Sequence, residues 1–191
     1  MGESMNVAEL HRRAVAEFDR RVKAVRDDQW RLPTPCTEWD VRALVNHLVY
    51  ENKWTPELFA GKTIAEVGDR FEGDQLGDDP KGAWVVAMRE AIGAVQDPGA
   101  LERTVHVSWG EISGQEYASQ LFADHLVHAW DLARAIGADE RLDPELVEVC
   151  YRNAKPQEEM LKASGLFGEK IEPPEGADKQ TQLLAVFGRR P

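Results

Sequence analysis

The sequence predicts an all-α protein, a four-helix bundle with small extra helices and a short extended segment or hairpin. Apolar residues recur every three or four positions through several long segments, which is the spacing of a buried helix face. Proline, aspartate and glycine stand at the ends of these segments, where helices begin and end. The chain has 191 residues, of which 42% are hydrophobic. That is enough to bury one core, so we expect a single domain over residues 1–191.

Each helix is placed by its own start or stop signal. Thr37 and Asp40 have the spacing of a capping box before the second helix. Pro80 suits the first position of the third helix, and Gly137 is a typical stop for the fourth. Asp143 precedes the fifth, which Pro156 is expected to kink or split. These signals predict helices over about residues 7–30, 40–60, 80–96, 115–136 and 144–163.

Three other stretches are not predicted as long helices. Residues 61–79 are polar and contain four glycines, which indicates a surface loop. Residues 103–110 alternate and are β-branched, which indicates a short extended segment or hairpin. Residues 182–187 are apolar and are expected to pack back on the body of the protein.

Charge and composition exclude several classes of function. The formal net charge is −11, which disfavours binding to nucleic acid or to an anionic membrane. No apolar run approaches the roughly 20 residues that span a bilayer, and the first residues do not resemble a secretory signal. Cys36 and Cys150 do not have zinc-finger spacing. Cys36 precedes a helix start, which can lower the pKa of a thiol, but we interpret it as a small buried residue near a helix cap. We therefore expect a cytoplasmic protein.

The fourth predicted helix carries the strongest chemical signal. Asp124 and His128 are four residues apart, so they lie side by side on one stripe of the helix. The other faces are almost entirely apolar, which predicts that this helix is buried. A buried carboxylate needs a partner or a metal ion. The pair is therefore either a hydrogen-bonded couple in the core or two ligands of one ion.

Two neighbouring residues on the fourth helix each allow more than one role. His125 lies about 60° off the stripe of His128. It is an alternative ligand or a catalytic base, although a surface or cap role is the commoner one. Asp131 is placed either to orient His128 from behind or to pair with Arg134.

The second predicted helix offers a third ligand. His47 shares a stripe with Glu51 and Trp54 and is flanked by leucines. A histidine among apolar residues is usually a core residue, but the Asp-x-x-x-His pattern of the fourth helix favours a joint site. Glu51 is then a reserve ligand or a general base. Trp54 is the best placed aromatic residue to line a pocket.

Three stretches of the chain resemble the DinB-like metal-binding proteins, on the branch that contains the N-terminal domain of mycothiol-dependent maleylpyruvate isomerase. The stretches are TPCTEWDVRALVNHL (34–48), DHLVHAWDLARAIG (124–137) and LLAVFGRRP (183–191). The resemblance implies an up-down-down-up four-helix bundle with a divalent ion at one end. It implies His47, Asp124 and His128 as the ligands, with Asp124 in the place of a glutamate.

The resemblance also implies a chemistry. In the resembled proteins a low-molecular-weight thiol, such as mycothiol or bacillithiol, supplies a thiolate to the metal. Zinc is the first expectation, with nickel or iron(II) as alternatives, since two imidazoles and a carboxylate suit all three. The second domain of the isomerase has no counterpart here, so maleylpyruvate isomerisation itself is not carried over.

These observations lead to three hypotheses about function. The first is a thiol-dependent transferase or isomerase that acts on a small electrophile. The second is a metal-dependent hydrolase that uses activated water, with Glu51 or His125 as the base. The third is a metal-binding bundle without catalysis. A homodimer is expected by analogy with other bundles of this kind.

Overall fold

The computed structural model describes residues 6–163 and 171–191, which fall into two compact units. The first unit ends at Ala138 and the second begins at Asp139. The single domain expected over residues 1–191 stays a prediction.

The first unit is built on four long helices. They are α1 (Val7–Ala24), α2 (Val41–Phe59), α4 (Pro80–Gln96) and α5 (Gly114–Ile136), with a single short turn, α3 (Ile64–Val67), between α2 and α4. The helix α1 packs mainly against α5, and α2 packs mainly against α4. The all-α class and the helical bundle with a small hairpin are thereby confirmed.

The helix α5 is buried on nearly all of its faces, as its sequence predicts. Leu126, Ala129 and Leu132 point in different directions around the helix, and all three are fully buried. Its N-terminus is capped by the Ser113 hydroxyl, and Gly137 ends it in the left-handed conformation at φ 69°. The chemistry-bearing helix of the sequence is therefore enclosed by its neighbours.

The first helix is shorter than the sequence predicts. It ends at Ala24 instead of near residue 30, because Val25 adopts an extended conformation. The side chain of Gln29 accepts a hydrogen bond from the Arg26 backbone N–H at 2.9 Å and donates one to the Ile136 carbonyl at 2.9 Å. These contacts turn the chain away from α1 and join it to the end of α5.

The capping box predicted on Thr37 is wrong. The N-cap of α2 is Asp40, whose carboxylate accepts a hydrogen bond from the Ala43 N–H at 2.8 Å. The Trp39 N–H donates to the Cys36 carbonyl at 2.8 Å, which closes a tight turn around Thr37. Because the backbone groups of this turn bond to one another, they do not begin a helix at Thr37.

The polar segment and the extended segment both contain regular structure. Thr63 and Glu66 form a capping box that begins α3 inside the predicted loop. Further on, β1 (Thr104–Val107) and β2 (Gly110–Ser113) form an antiparallel hairpin. The hairpin confirms the extended prediction, and β2 leads directly into α5.

The second unit is also helical. It contains α6 (Pro144–Ala154), α7 (Glu158–Ala163) and α8 (Lys179–Val186). A 3-10 turn that contains Pro156 separates α6 from α7, as predicted from the proline. The helices α6 and α8 pack together, and Leu146, Cys150 and Leu183 are buried. Within the described residues, no helix is long and apolar enough to cross a membrane.

Candidate metal centre

Three side chains predicted as metal ligands converge between α2 and α5. The helix α2 buries Leu44, Val45 and Leu48 completely and leaves His47 on its half-buried side. Asp124 and His128 stand one helical turn apart on α5. Because both helices are fixed by apolar packing, the three polar side chains are held in place by the core on either side of them.

The carboxylate of Asp124 lies between the two imidazoles. Its Oδ2 is 3.4 Å from Nε2 of His47, and its Oδ1 is 3.3 Å from Nε2 of His128. The two rings meet edge to face at 5.3 Å. One ligand atom of each residue lies within 4.8 Å of the other two. Such a set of two imidazoles and one carboxylate fits a divalent ion and leaves coordination positions open.

The electrostatics of the three residues favour a cation. Burial alone would raise the pKa of Asp124, but His128 and His47 lower that pKa well below its usual value. Burial alone would lower the pKa of His128, but Asp124, assisted by Asp131, raises that pKa well above its usual value. The surroundings of His128 thus stabilise a positive charge, which a proton or a metal ion provides.

Asp131 supports His128 from behind. It is fully buried, and its Oδ2 lies 2.8 Å from Nδ1 of His128. Since an ionised carboxylate can only accept hydrogen bonds, Nδ1 is the donor to Asp131, and loss of the other ring proton would free the Nε2 lone pair for an ion. Of the two roles left open by the sequence, the orienting one therefore has a direct contact to support it.

The turn over residues 33–40 contacts both histidines of the candidate metal centre. The Trp39 ring lies 4.7 Å from the His47 ring and 5.8 Å from the His128 ring. The Cys36 thiol donates to Oδ2 of Asp131 at 3.4 Å and lies 3.9 Å from Nδ1 of His128. The interpretation of Cys36 as a small buried residue missed these contacts. The available signal was the position of this turn directly before the helix that carries His47.

The charges of the candidate metal centre also affect the pKa values of Glu51 and Tyr117. Glu51 is half-buried, one turn after His47. Burial raises the pKa of Glu51 to about 7, with Asp124 adding to the increase and His47 opposing it. Burial also raises the pKa of Tyr117, and the charges of Glu51 and Asp124 raise it further. The sequence analysis identified Glu51 but missed Tyr117, which lies two turns before Asp124 on α5.

Trp54 and His125 lie outside the group of candidate ligands. The Trp54 ring is 6.0 Å from both Tyr50 and Phe71, in a small aromatic cluster. Its expected contact with a cofactor stays a prediction.

His125 is fully buried, and its Nδ1 lies 2.7 Å from the Leu121 carbonyl. Its ring meets that of His11 at 5.3 Å, because the 60° offset from the stripe turns it toward α1. Burial lowers the pKa of His125 to about 4. The geometry therefore gives no support to His125 as a ligand or a catalytic base.

Comparison with known proteins identifies the family. The model of the mycothiol maleylpyruvate isomerase N-terminal domain family matches residues 11–133, a range that includes all three candidate ligands. Two relatives come from Mycobacterium tuberculosis: the uncharacterized protein MT0763 of strain CDC 1551 / Oshkosh and the uncharacterized protein Rv0738 of strain ATCC 25618 / H37Rv. Each is 34% identical over 186 residues, which is 94% of this chain and 95% of the relative. No solved structure matches. The chain thus belongs to the family of the mycothiol maleylpyruvate isomerase N-terminal domain.

Proposed function

We propose that this protein binds a divalent metal ion, zinc in the first instance, and uses a low-molecular-weight thiol to transform a small electrophile. The observation that carries the proposal is the convergence of His47, Asp124 and His128, whose ligand atoms lie within 4.8 Å of one another. Membership of a family named for a mycothiol-dependent isomerase supports mycothiol as the thiol.

The residues of the site have distinct roles in this proposal. His47, Asp124 and His128 hold the ion, and Asp131 fixes the ring of His128. When bound, the ion would lower the pKa of a coordinating thiol and supply a thiolate at neutral pH. The Trp39 ring lies 4.7 Å from the His47 ring and would form part of the wall around the ion.

In this proposal Glu51 accepts the thiol proton and transfers it to the product. Its carboxylate would accept the proton that the thiol loses when the thiolate forms, before the sulfur–carbon bond to the electrophile is made. The same carboxyl then returns the proton to the atom of the substrate that receives the electron pair. A pKa of about 7 suits a group that must both accept and donate at neutral pH.

The proposal is tested by looking for a thiol adduct. Purified protein is loaded with zinc and incubated with mycothiol and a panel of small electrophiles, and products are identified by mass spectrometry. We expect adducts or isomerised products that disappear after chelation and in His47→Ala, Asp124→Ala and His128→Ala. His106→Ala is the matched control, because His106 lies on the hairpin beside Glu111 and outside the ligand group. Absence of any metal-dependent product across the panel would overturn the proposal.

Glu51 also favours a second candidate, a metal-dependent hydrolase in which its carboxylate activates water. The two candidates differ in their need for thiol. Turnover of ester or amide substrates without thiol, lost in Glu51→Gln, would support the hydrolase. Zinc binding that stabilises the protein without turnover of either class would instead favour a non-catalytic bundle.

A further inference from the structure

The opposite side of the His128 ring carries a second group of metal-ligating atoms. They are Sγ of Cys36, Nδ1 of His128 and a carboxylate oxygen of Asp131, all within 4.8 Å of one another. The separations are 3.9 Å from sulfur to nitrogen, 3.4 Å from sulfur to oxygen and 2.8 Å from nitrogen to oxygen. His128 therefore faces one group with each of its two ring nitrogens.

These separations are close to those around a tetrahedral ion. With metal–sulfur bonds of about 2.3 Å and metal–nitrogen or metal–oxygen bonds of about 2.0–2.2 Å, neighbouring ligand atoms lie about 3.3–3.6 Å apart. Side-chain shifts of about half an ångström would bring all three atoms to that geometry. The backbone of the 33–40 turn and of α5 can stay as it is.

Charge and access also suit an ion. Asp131 is fully buried, whereas Cys36 is half-buried on the 33–40 turn, between exposed Pro35 and exposed Thr37. An ion can therefore enter beside Cys36. On binding, the thiol releases its proton to solvent, and the thiolate and the Asp131 carboxylate together balance two positive charges. A sulfur ligand selects for thiophilic metals.

We propose that Cys36, His128 and Asp131 form a second site, for a thiophilic divalent cation, that shares His128 with the first. An ion on Nδ1 leaves the ring proton on Nε2, where it points to Asp124. Ions at the two groups therefore compete for a neutral His128. The second site does not depend on the proposed function, because it requires neither His47 nor any thiol substrate.

Cadmium provides a direct test, since a sulfur–cadmium bond gives an ultraviolet charge-transfer band. The full chain is reduced, freed of reductant and titrated with Cd²⁺. We expect a band that saturates at one ion per chain and persists in His47→Ala. It should be absent in Cys36→Ser, and Asp131→Asn should need about tenfold more cadmium. Cys150→Ala is the matched control, because burial raises the pKa of Cys150 to about 12 and keeps that thiol protonated.

A second measurement uses only the wild-type chain, so its result does not depend on whether a variant folds. In the wild-type chain, Cd²⁺ should slow alkylation of Cys36 by iodoacetamide, as read by peptide mass mapping. No band in the wild-type chain, an unchanged band in Cys36→Ser, or unprotected Cys36 would each overturn the second site. None of these results bears on thiol adduct formation, so the two proposals fail separately.

Discussion

Oδ2 of Asp131 lies 2.8 Å from Nδ1 of His128 and holds that imidazole with its other nitrogen toward Asp124. Two carboxylates thus face one ring, one from each side. The carboxylate of Asp124 belongs to the candidate metal centre. The carboxylate of Asp131 sets which ring nitrogen carries the proton. This arrangement explains why a fully buried aspartate is tolerated inside an apolar helix.

Replacing Asp131 should weaken zinc binding at the site of His47, Asp124 and His128, to which Asp131 contributes no ligand atom. In Asp131→Ala the ring of His128 loses the acceptor that fixes its tautomer, so we expect zinc affinity to fall by about 10–100-fold. Competition with a chromophoric chelator measures this change. Asp28→Ala is the control, since that carboxylate is 73% exposed and pairs with Arg26. Equal zinc affinity in Asp131→Ala and the wild type would contradict the orienting role.

The length of the Asp124 side chain gives a second prediction. The resembled isomerase has glutamate at this position, so Asp124→Glu should still bind one zinc ion per chain. Asp124→Asn keeps the shape but removes the charge between His47 and His128, and it should lose most of the metal. Metal analysis after dialysis distinguishes the two variants, both made in a Cys36→Ser background so that the second proposed site cannot retain zinc. Retention of zinc by Asp124→Asn would exclude Asp124 as a charged ligand.

The helical bundle and the three candidate ligands could be predicted because both follow from local spacing. The pair Asp124 and His128 lies on one stripe of any helix, and the apolar surroundings of that helix place it in the interior. His47 could be proposed because it shares a stripe of α2 with Glu51 and Trp54, and because the Asp-x-x-x-His pattern of α5 favours a joint site.

The contacts of Cys36 and Trp39 could not be predicted in this way. They depend on the fold of the 33–40 turn, which is closed by hydrogen bonds between Thr34 and Trp39 and between Cys36 and Trp39. The direction of His125 was also missed, because an offset of 60° separates a ligand from a core residue only when the neighbouring helix is known. Tertiary packing decides both cases.

The buried histidine pair should make the protein sensitive to acid. Burial lowers the pKa of His11 well below its usual value and that of His125 to about 4. Between about pH 6.5 and 4 the unfolded chain binds protons that the folded chain does not. Each such histidine therefore lowers the free energy of unfolding as pH falls through this window, by about 2 kcal/mol between pH 7 and 5.

Urea unfolding at pH 7 and pH 5 checks this expectation. His11→Phe keeps an aromatic ring against His125 but removes one titrating group, so it should lose less stability on acidification than the wild type. His106→Phe is the matched control, because His106 is only half-buried on β1. A loss of stability on acidification that is equal in His11→Phe and in the wild type would rule out burial of a neutral His11.

Two glycines in helices should respond in opposite ways to alanine. A Cβ at Gly114 would lie 2.1 Å from the Ala100 carbonyl oxygen and 2.9 Å from Cε1 of Phe59, so the start of α5 would have to move away from its neighbours. A Cβ at Gly93, within α4, would meet no atom within 4 Å. We expect Gly114→Ala to destabilise the protein by about 1–3 kcal/mol. Gly93→Ala should stabilise it by about 0.5–1 kcal/mol, because alanine restricts the unfolded chain and favours the helix. Urea unfolding of the two variants measures both effects, and a stabilising Gly114→Ala would show that the α5 start does not approach Ala100 so closely.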